Sequence, residues 1–123
     1  MAIDYHEPVA ELSAHARDVH RALTTLVEEL EAVAWYNQRL EVSPDAELRA
    51  ILEHNRNEEI EHACMALEWL RRTMPEFDEN MKTYLFTTAP ITEVEELAEA
   101  GEAGGDAAPA GGEGTGLGIG SSR

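Results

Sequence analysis

Two long stretches of this chain repeat apolar residues at a period of 3.5 and contain no glycine. In the first, from about Glu7 to Leu40, the residues Leu12, Ala16, Val19, Leu23, Leu26, Leu30, Val33, Asn37 and Leu40 follow one another in steps of four and three. In the second, from about Pro44 to Arg72, Leu48, Leu52, Asn55, Glu59, His62, Ala66 and Trp69 do the same. That period is the pattern of a helix packed lengthwise on another helix. Between them lies Glu41-Val42-Ser43-Pro44. Ser43 is a candidate N-cap, and Pro44 suits the first helical position because its missing N–H is not needed there. So short a break predicts an antiparallel helical hairpin.

Pro75 opens a shorter helix carrying Phe77, Met81, Tyr84 and Leu85, and Thr87-Thr88-Ala89-Pro90 ends it. Thr92 and Glu95 have capping-box spacing, which predicts a helical turn or two at 91–97. From about Gly101 the composition turns to Gly, Ala, Asp, Glu and Pro, that of a flexible linker. The chain divides into a helical domain at 1–97, a linker at 98–115 and a terminal peptide at 116–123. That peptide places Leu117 and Ile119 among glycines.

Of the 123 residues, roughly 90 can pack, and a core that small often needs a partner. The formal net charge of −16 opposes nucleic acid and anionic membrane surfaces and raises the local concentration of cations. A lone cysteine, Cys64, excludes an intramolecular disulfide and suits a reducing compartment. The N-terminus has neither the basic nor the apolar region of a signal peptide, and no apolar run nears the ~18 residues of a membrane span. The expectation is a soluble, intracellular protein.

The middle of the second seam should be apolar, yet it carries Asn55, Glu59 and His62. A buried carboxylate without compensation is costly and takes a partner or a proton. A metal ion is such a partner. Glu59 and His62 stand at i and i+3, on one helix face. On the first helix, Glu29 lies one turn from Leu26 and Val33, bordering the apolar stripe, with Tyr36 two turns on. An antiparallel hairpin lets Glu29 approach Glu59 and His62. Di-iron carboxylate bundles take a Glu from each of two helices and a Glu-x-x-His from each of two others. This chain carries half of that set. A second copy about a two-fold axis completes it, and the donors suit iron or manganese. His6, His15, His20 and His54 have no partner at ligand spacing on this seam and receive no role.

The segments Glu28-Glu29-Leu30-Glu31-Ala32-Val33-Ala34-Trp35-Tyr36, His54-Asn55-Arg56-Asn57-Glu58-Glu59-Ile60-Glu61-His62 and Leu67-Glu68-Trp69-Leu70-Arg71-Arg72 resemble the encapsulated ferritins. Thr83-Tyr84-Leu85-Phe86 and Pro90-Ile91-Thr92-Glu93 extend the resemblance. It implies an all-α fold: an antiparallel two-helix hairpin plus a short C-terminal helix, dimerising into a ferritin-like four-helix bundle around a di-iron centre. It implies dimers joined into a ring-shaped homodecamer inside an encapsulin shell, in an encapsulin nanocompartment of the bacterial cytoplasm. It implies a ferroxidase that passes Fe(III) to storage in the shell. By matching motif, the ligands fall on Glu29, Glu59 and His62, with Glu59 bridging the irons and Tyr36 beside them. Glu28, Glu31 and Trp35 match a peripheral entry site for a cation such as calcium. Leu117 and Ile119 match the peptide by which cargo docks on the shell. Two positions depart from the family pattern: Ala34 replaces an acid near the entry route, and Ser122 replaces an aliphatic residue of the docking peptide.

Two other readings suit the same residues. One is a helical adaptor or structural cargo protein without catalysis, whose polar seam residues only set register. The other is a di-iron protein that consumes peroxide.

Overall fold

The computed structural model describes residues 4–104. Helices are the only regular structure among them. A 3₁₀ turn at Val9–Glu11 precedes α1 (Ala14–Val42), α2 (Ala46–Thr73), α3 (Pro75–Tyr84) and α4 (Ile91–Gly104). The chain divides between Thr73 and Met74 into two compact units, with α1 packed on α2 in one and α3 on α4 in the other.

The first helix starts later than its apolar pattern suggests. Leu12 is extended, at φ −89° and ψ 139°. Ser13 caps α1, its side chain accepting the Ala16 N–H at 3.0 Å. Ser, Thr, Asp and Asn favour this place because their short side chains satisfy an orphan N–H of the first turn. The segment before the cap is tied back to the helix. Arg17 donates from Nε and Nη2 to the Val9 carbonyl at 3.2 and 2.8 Å, and the Tyr5 ring stacks on His20 at 4.0 Å.

The break between α1 and α2 also differs in detail. Ser43 ends α1 instead of beginning α2, and its N–H reaches the Arg39 carbonyl at 3.0 Å. The cap of α2 is Asp45, whose Oδ2 accepts the Leu48 N–H at 2.8 Å. Pro44 disfavours the helical region for Ser43 and leaves it extended, so the helix can start only beyond the proline. Asp45 caps as well as serine would, and its charge complements the helix N-terminus. From the first turn of α2, Arg49 reaches back to the carbonyls of Leu40 and Ser43 and closes the hairpin.

α1 and α2 run antiparallel. Arg56 donates to Asn37 Oδ1 at 3.1 Å, and further from the turn Glu29 meets His62. Along α2 the apolar residues form two stripes where the sequence suggested one. Leu52, Ala63 and Leu70 are buried, with Glu59 and Ala66 half-buried between them. Leu48 and Trp69, assigned above to the buried seam, are exposed. They share with Ile51, Asn55, Glu58, His62 and Met65 a second row, stepped by three and four. On α1, Leu26, Val33 and Leu40 are half-buried and Leu30 is exposed. A helix that must contact more than one neighbour is apolar over a wide arc, and a period-3.5 reading averages its two faces.

Pro75 takes the first helical position of α3, as expected. Phe86, just past its end, adopts φ 64°. The left-handed region costs a residue with a Cβ about 1–2 kcal/mol. Thr87 Oγ1 donates to the Tyr84 carbonyl at 2.8 Å and holds the turn. α4 opens on the Pro90 carbonyl, which accepts from Glu93 and Val94 at 2.9 and 3.0 Å, so Thr92 lies inside the helix and is not its cap. α4 continues through Gly104. The stretch 98–104, read above as the start of the linker, is therefore helical. Ala98, Glu99 and Ala100 are strong helix formers and outweigh Gly101. Leu117, Ile119 and the rest of the terminal peptide lie outside the described residues.

The caps give a direct test of the turn. Asp45→Ala should destabilise the protein by about 1 kcal/mol in urea unfolding. Ser43→Ala should cost nothing or stabilise slightly, because the Ser43 hydroxyl is buried without a partner. The reverse order would place the cap on Ser43.

Candidate metal centre

Three ionisable side chains converge midway along the hairpin. α1 places Glu29 and α2 places Glu59 and His62, one turn apart. One ligand atom from each lies within 4.8 Å of the other two. His62 Nδ1 stands 3.7 Å from Glu29 Oε1 and 3.5 Å from Glu59 Oε1. No other group of three such side chains gathers among the described residues. All three were singled out in the sequence, and the fold brings them together.

The site is open on one side. The side chains of Glu29 and Glu59 are 21% and 25% exposed, and that of His62 is 45% exposed. The carboxylates are set into the helix contact, and the imidazole stands at its rim.

Electrostatics mark the cluster as unsatisfied. Hydrogen bonding to Glu59 pushes the Glu29 carboxyl above the usual carboxylate range. Partial burial and the Glu59 charge add to the rise, His62 opposes it, and Glu28 adds a little. Two facing carboxylates cannot both ionise freely without a cation between them. The contrast is Glu68, two turns from His62. It accepts from Arg71 at 2.8 Å and Arg72 at 2.7 Å, and these guanidiniums hold its carboxyl at about 2. The protein pairs that acid with two guanidiniums and sets only the His62 imidazole beside Glu29 and Glu59.

The other candidates occupy less defined places. Tyr36 is half-buried on α1, with the Arg39 guanidinium 5.1 Å from its ring centre. Glu28 is exposed, Glu31 is half-buried and Trp35 is 52% exposed. Ala34 and Cys64 are exposed. Glu58 drew no attention in the sequence, yet its Oε1 lies 3.9 Å from His62 Nε2. Its spacing from His62, four residues, is the available signal.

Two carboxylates and an imidazole on a helical hairpin are a donor set of the kind ferritin-like proteins use, and one that would suit iron. Residues 4–88 match the EncFtn-like family, and the chain belongs to it. A ferritin-like protein of Thermotoga maritima is 59% identical over 108 residues, covering 86% of this chain and 95% of that one. An encapsulated ferritin-like protein of Rhodospirillum rubrum is 54% identical over 120 residues, covering 94% and 85%. The crystal structure of a Nitrosomonas europaea protein has a TM-score of 0.70 and 58% identity, covering 72% of this chain and 98% of that one. The expected all-α, ferritin-like fold and the resemblance to encapsulated ferritins are met. The family points to an iron-related, ferritin-like function. No described helix is long and apolar enough to cross a membrane.

The raised Glu29 carboxyl gives a signed prediction. Its folded pKa lies above the unfolded value of 4.5, so the ionised group opposes folding at neutral pH. That opposition fades as the pH falls through the folded pKa. Glu29→Gln should therefore raise the melting temperature of metal-free protein at pH 7, and the gain should shrink on acidification. A lower melting temperature at pH 7 would refute the like-charge account.

Proposed function

We propose that the protein is a ferroxidase, and that Glu29, Glu59 and His62 from each of two chains hold a pair of Fe(II) ions for oxidation by dioxygen. The observation that carries this reading is the convergence of two carboxylates and an imidazole within 4.8 Å, with the carboxylates half-buried and the Glu29 carboxyl pushed upward by Glu59. Three donors leave an iron ion under-coordinated, and a second copy contributes three more. Ferritin-like di-iron sites use that set of four carboxylates and two imidazoles.

The surface around the site supports a paired state. Leu48, Ile51, Met65 and Trp69 are exposed on the same row of α2 as His62. Only Leu52, Ala63, Leu70 and Val94 are buried hydrophobic residues among those described. A copy docked over the metal cluster would cover the exposed row and add the core that one chain lacks. Dimer formation and metal binding are then one event.

The chemistry needs little from the protein beyond placement and charge. Two Fe(II) would give up one electron each, and dioxygen would take both electrons, with two protons from water, and leave as hydrogen peroxide. Four carboxylates stabilise the increased charge of the ferric pair. The charge of −16 draws Fe(II) towards the site. Glu28, Glu31 and Trp35 form a peripheral entry site in this reading, open to a cation such as calcium. Dimers join into a ring-shaped homodecamer, and Leu117 and Ile119 dock it on the inner wall of an encapsulin shell in the bacterial cytoplasm. The Rhodospirillum rubrum relative's name, encapsulated ferritin-like protein, supports the shell.

Mutation of the ligands tests the centre. Loss of an outer partner of a metal ligand costs roughly 10–100-fold, and loss of a ligand costs at least that. Glu29→Ala, Glu59→Ala and His62→Ala should each slow aerobic Fe(II) oxidation by more than about tenfold. They should also weaken metal-dependent dimerisation in light scattering. Unchanged oxidation in all three would end the assignment.

The tail is tested separately. Removing 116–123 should leave oxidation intact and abolish co-purification with a co-expressed encapsulin. A truncated chain that is still encapsulated would exclude the docking role.

A further inference from the structure

The two nitrogens of His62 have different surroundings. Nδ1 faces Glu29 and Glu59, at 3.7 and 3.5 Å. Nε2 faces Glu58, whose Oε1 lies 3.9 Å away. The other oxygen of Glu58, Oε2, lies 4.0 Å from Nε2 of His54. His54, Glu58 and His62 are spaced four residues apart and form a row along one side of α2. The separations are those of ion pairs. Small side-chain rotations bring them to hydrogen bonds, as happens when a site tightens around its ligand.

A neutral imidazole has one lone pair and one N–H. It can ligate a metal through Nδ1 only if the proton sits on Nε2. Glu29 and Glu59 work against this, since either could accept a proton from Nδ1. An acceptor at Nε2 reverses the balance. A carboxylate there also fixes the ring plane.

We propose that Glu58 is the positioning residue of the metal centre: it accepts the Nε2–H of His62, so that the Nδ1 lone pair points between Glu29 and Glu59 at a divalent transition metal. His54 steadies Glu58 through its second oxygen. Glu58 touches no metal in this arrangement and acts through His62. The inference rests on the reading of His62 as a ligand.

Co(II) titration of the full chain, followed by calorimetry and visible absorption, separates the possibilities. Glu58→Ala should weaken Co(II) binding by roughly 10–100-fold. Glu58→Gln keeps an acceptor oxygen and should restore most of the affinity. Glu61→Ala removes an equal charge next to His62 in sequence and should change affinity less than about twofold, because no hydrogen bond is lost. In Zn(II)-loaded protein, the His62 Nε2–H should give a slowly exchanging proton–nitrogen NMR signal in wild type and Glu58→Gln, absent in Glu58→Ala. Glu58 is 48% exposed, so neither substitution threatens the fold. Wild-type affinity in Glu58→Ala overturns the proposal. Equal losses in Glu58→Ala and Glu58→Gln also overturn it, because charge alone would then explain the effect. A wild-type chain that binds no Co(II) overturns the ligand reading itself.

Discussion

The structure turns on two carboxylates held face to face across a helix contact. Glu29 and Glu59 repel each other, and His62 is the nearest group able to carry a positive charge. Hydrogen bonding between the two carboxyls, partial burial and their like charge all push the Glu29 carboxyl upward. The hairpin therefore carries a local electrostatic conflict midway along its length. A cation resolves it, and the free energy released on binding includes the repulsion removed.

The rest of the α1–α2 hairpin frames this pair. Leu52, Ala63 and Leu70 give α2 its small buried row, and the Arg49 contacts to Leu40 and Ser43 close the turn. Arg56 and Asn37 link the helices between the turn and the site. These contacts set the meeting point of Glu29 with Glu59 and His62. They do not bury the hairpin. Exposed apolar residues flank His62 on α2, so the face that carries the cluster is also apolar. In the proposed dimer, packing and ligation would favour the same partner.

The helices and the convergence of Glu29, Glu59 and His62 were legible in the sequence, because both depend on spacing along one helix or on two helices joined by a short turn. What escaped was the division of the apolar arc. The buried row of Leu52, Glu59, Ala63, Ala66 and Leu70 and the exposed row of Leu48, Ile51, His62, Met65 and Trp69 interleave. A single seam threaded through both takes members from each. The helix ends escaped for a different reason. Ser13, Ser43 and Asp45 are all competent caps, and only the competition among local hydrogen bonds selects between them. At 98–104, alanine and glutamate outweighed the glycine that suggested a linker. Glu58 escaped because one acid in an acidic helix resembles any solvated charge until its neighbours are placed.

In the proposed centre, the adjacent acids Glu58 and Glu59 divide two tasks within one helical turn. Glu59 precedes His62 by three residues and Glu58 by four, and a period of 3.6 sets both beneath the same imidazole on opposite sides of its axis. The three-residue partner shares the metal side of the ring with Glu29, across the helix contact. The four-residue partner takes the side facing away from it. A conservative exchange of either acid for an amide removes one unit of charge in both cases, yet the two changes differ in kind. At Glu59 it replaces an anionic donor to a cation with a weak neutral one. At Glu58 it keeps the acceptor that matters. Identical side chains at neighbouring positions thus play unequal parts, set by which nitrogen of one histidine each can reach.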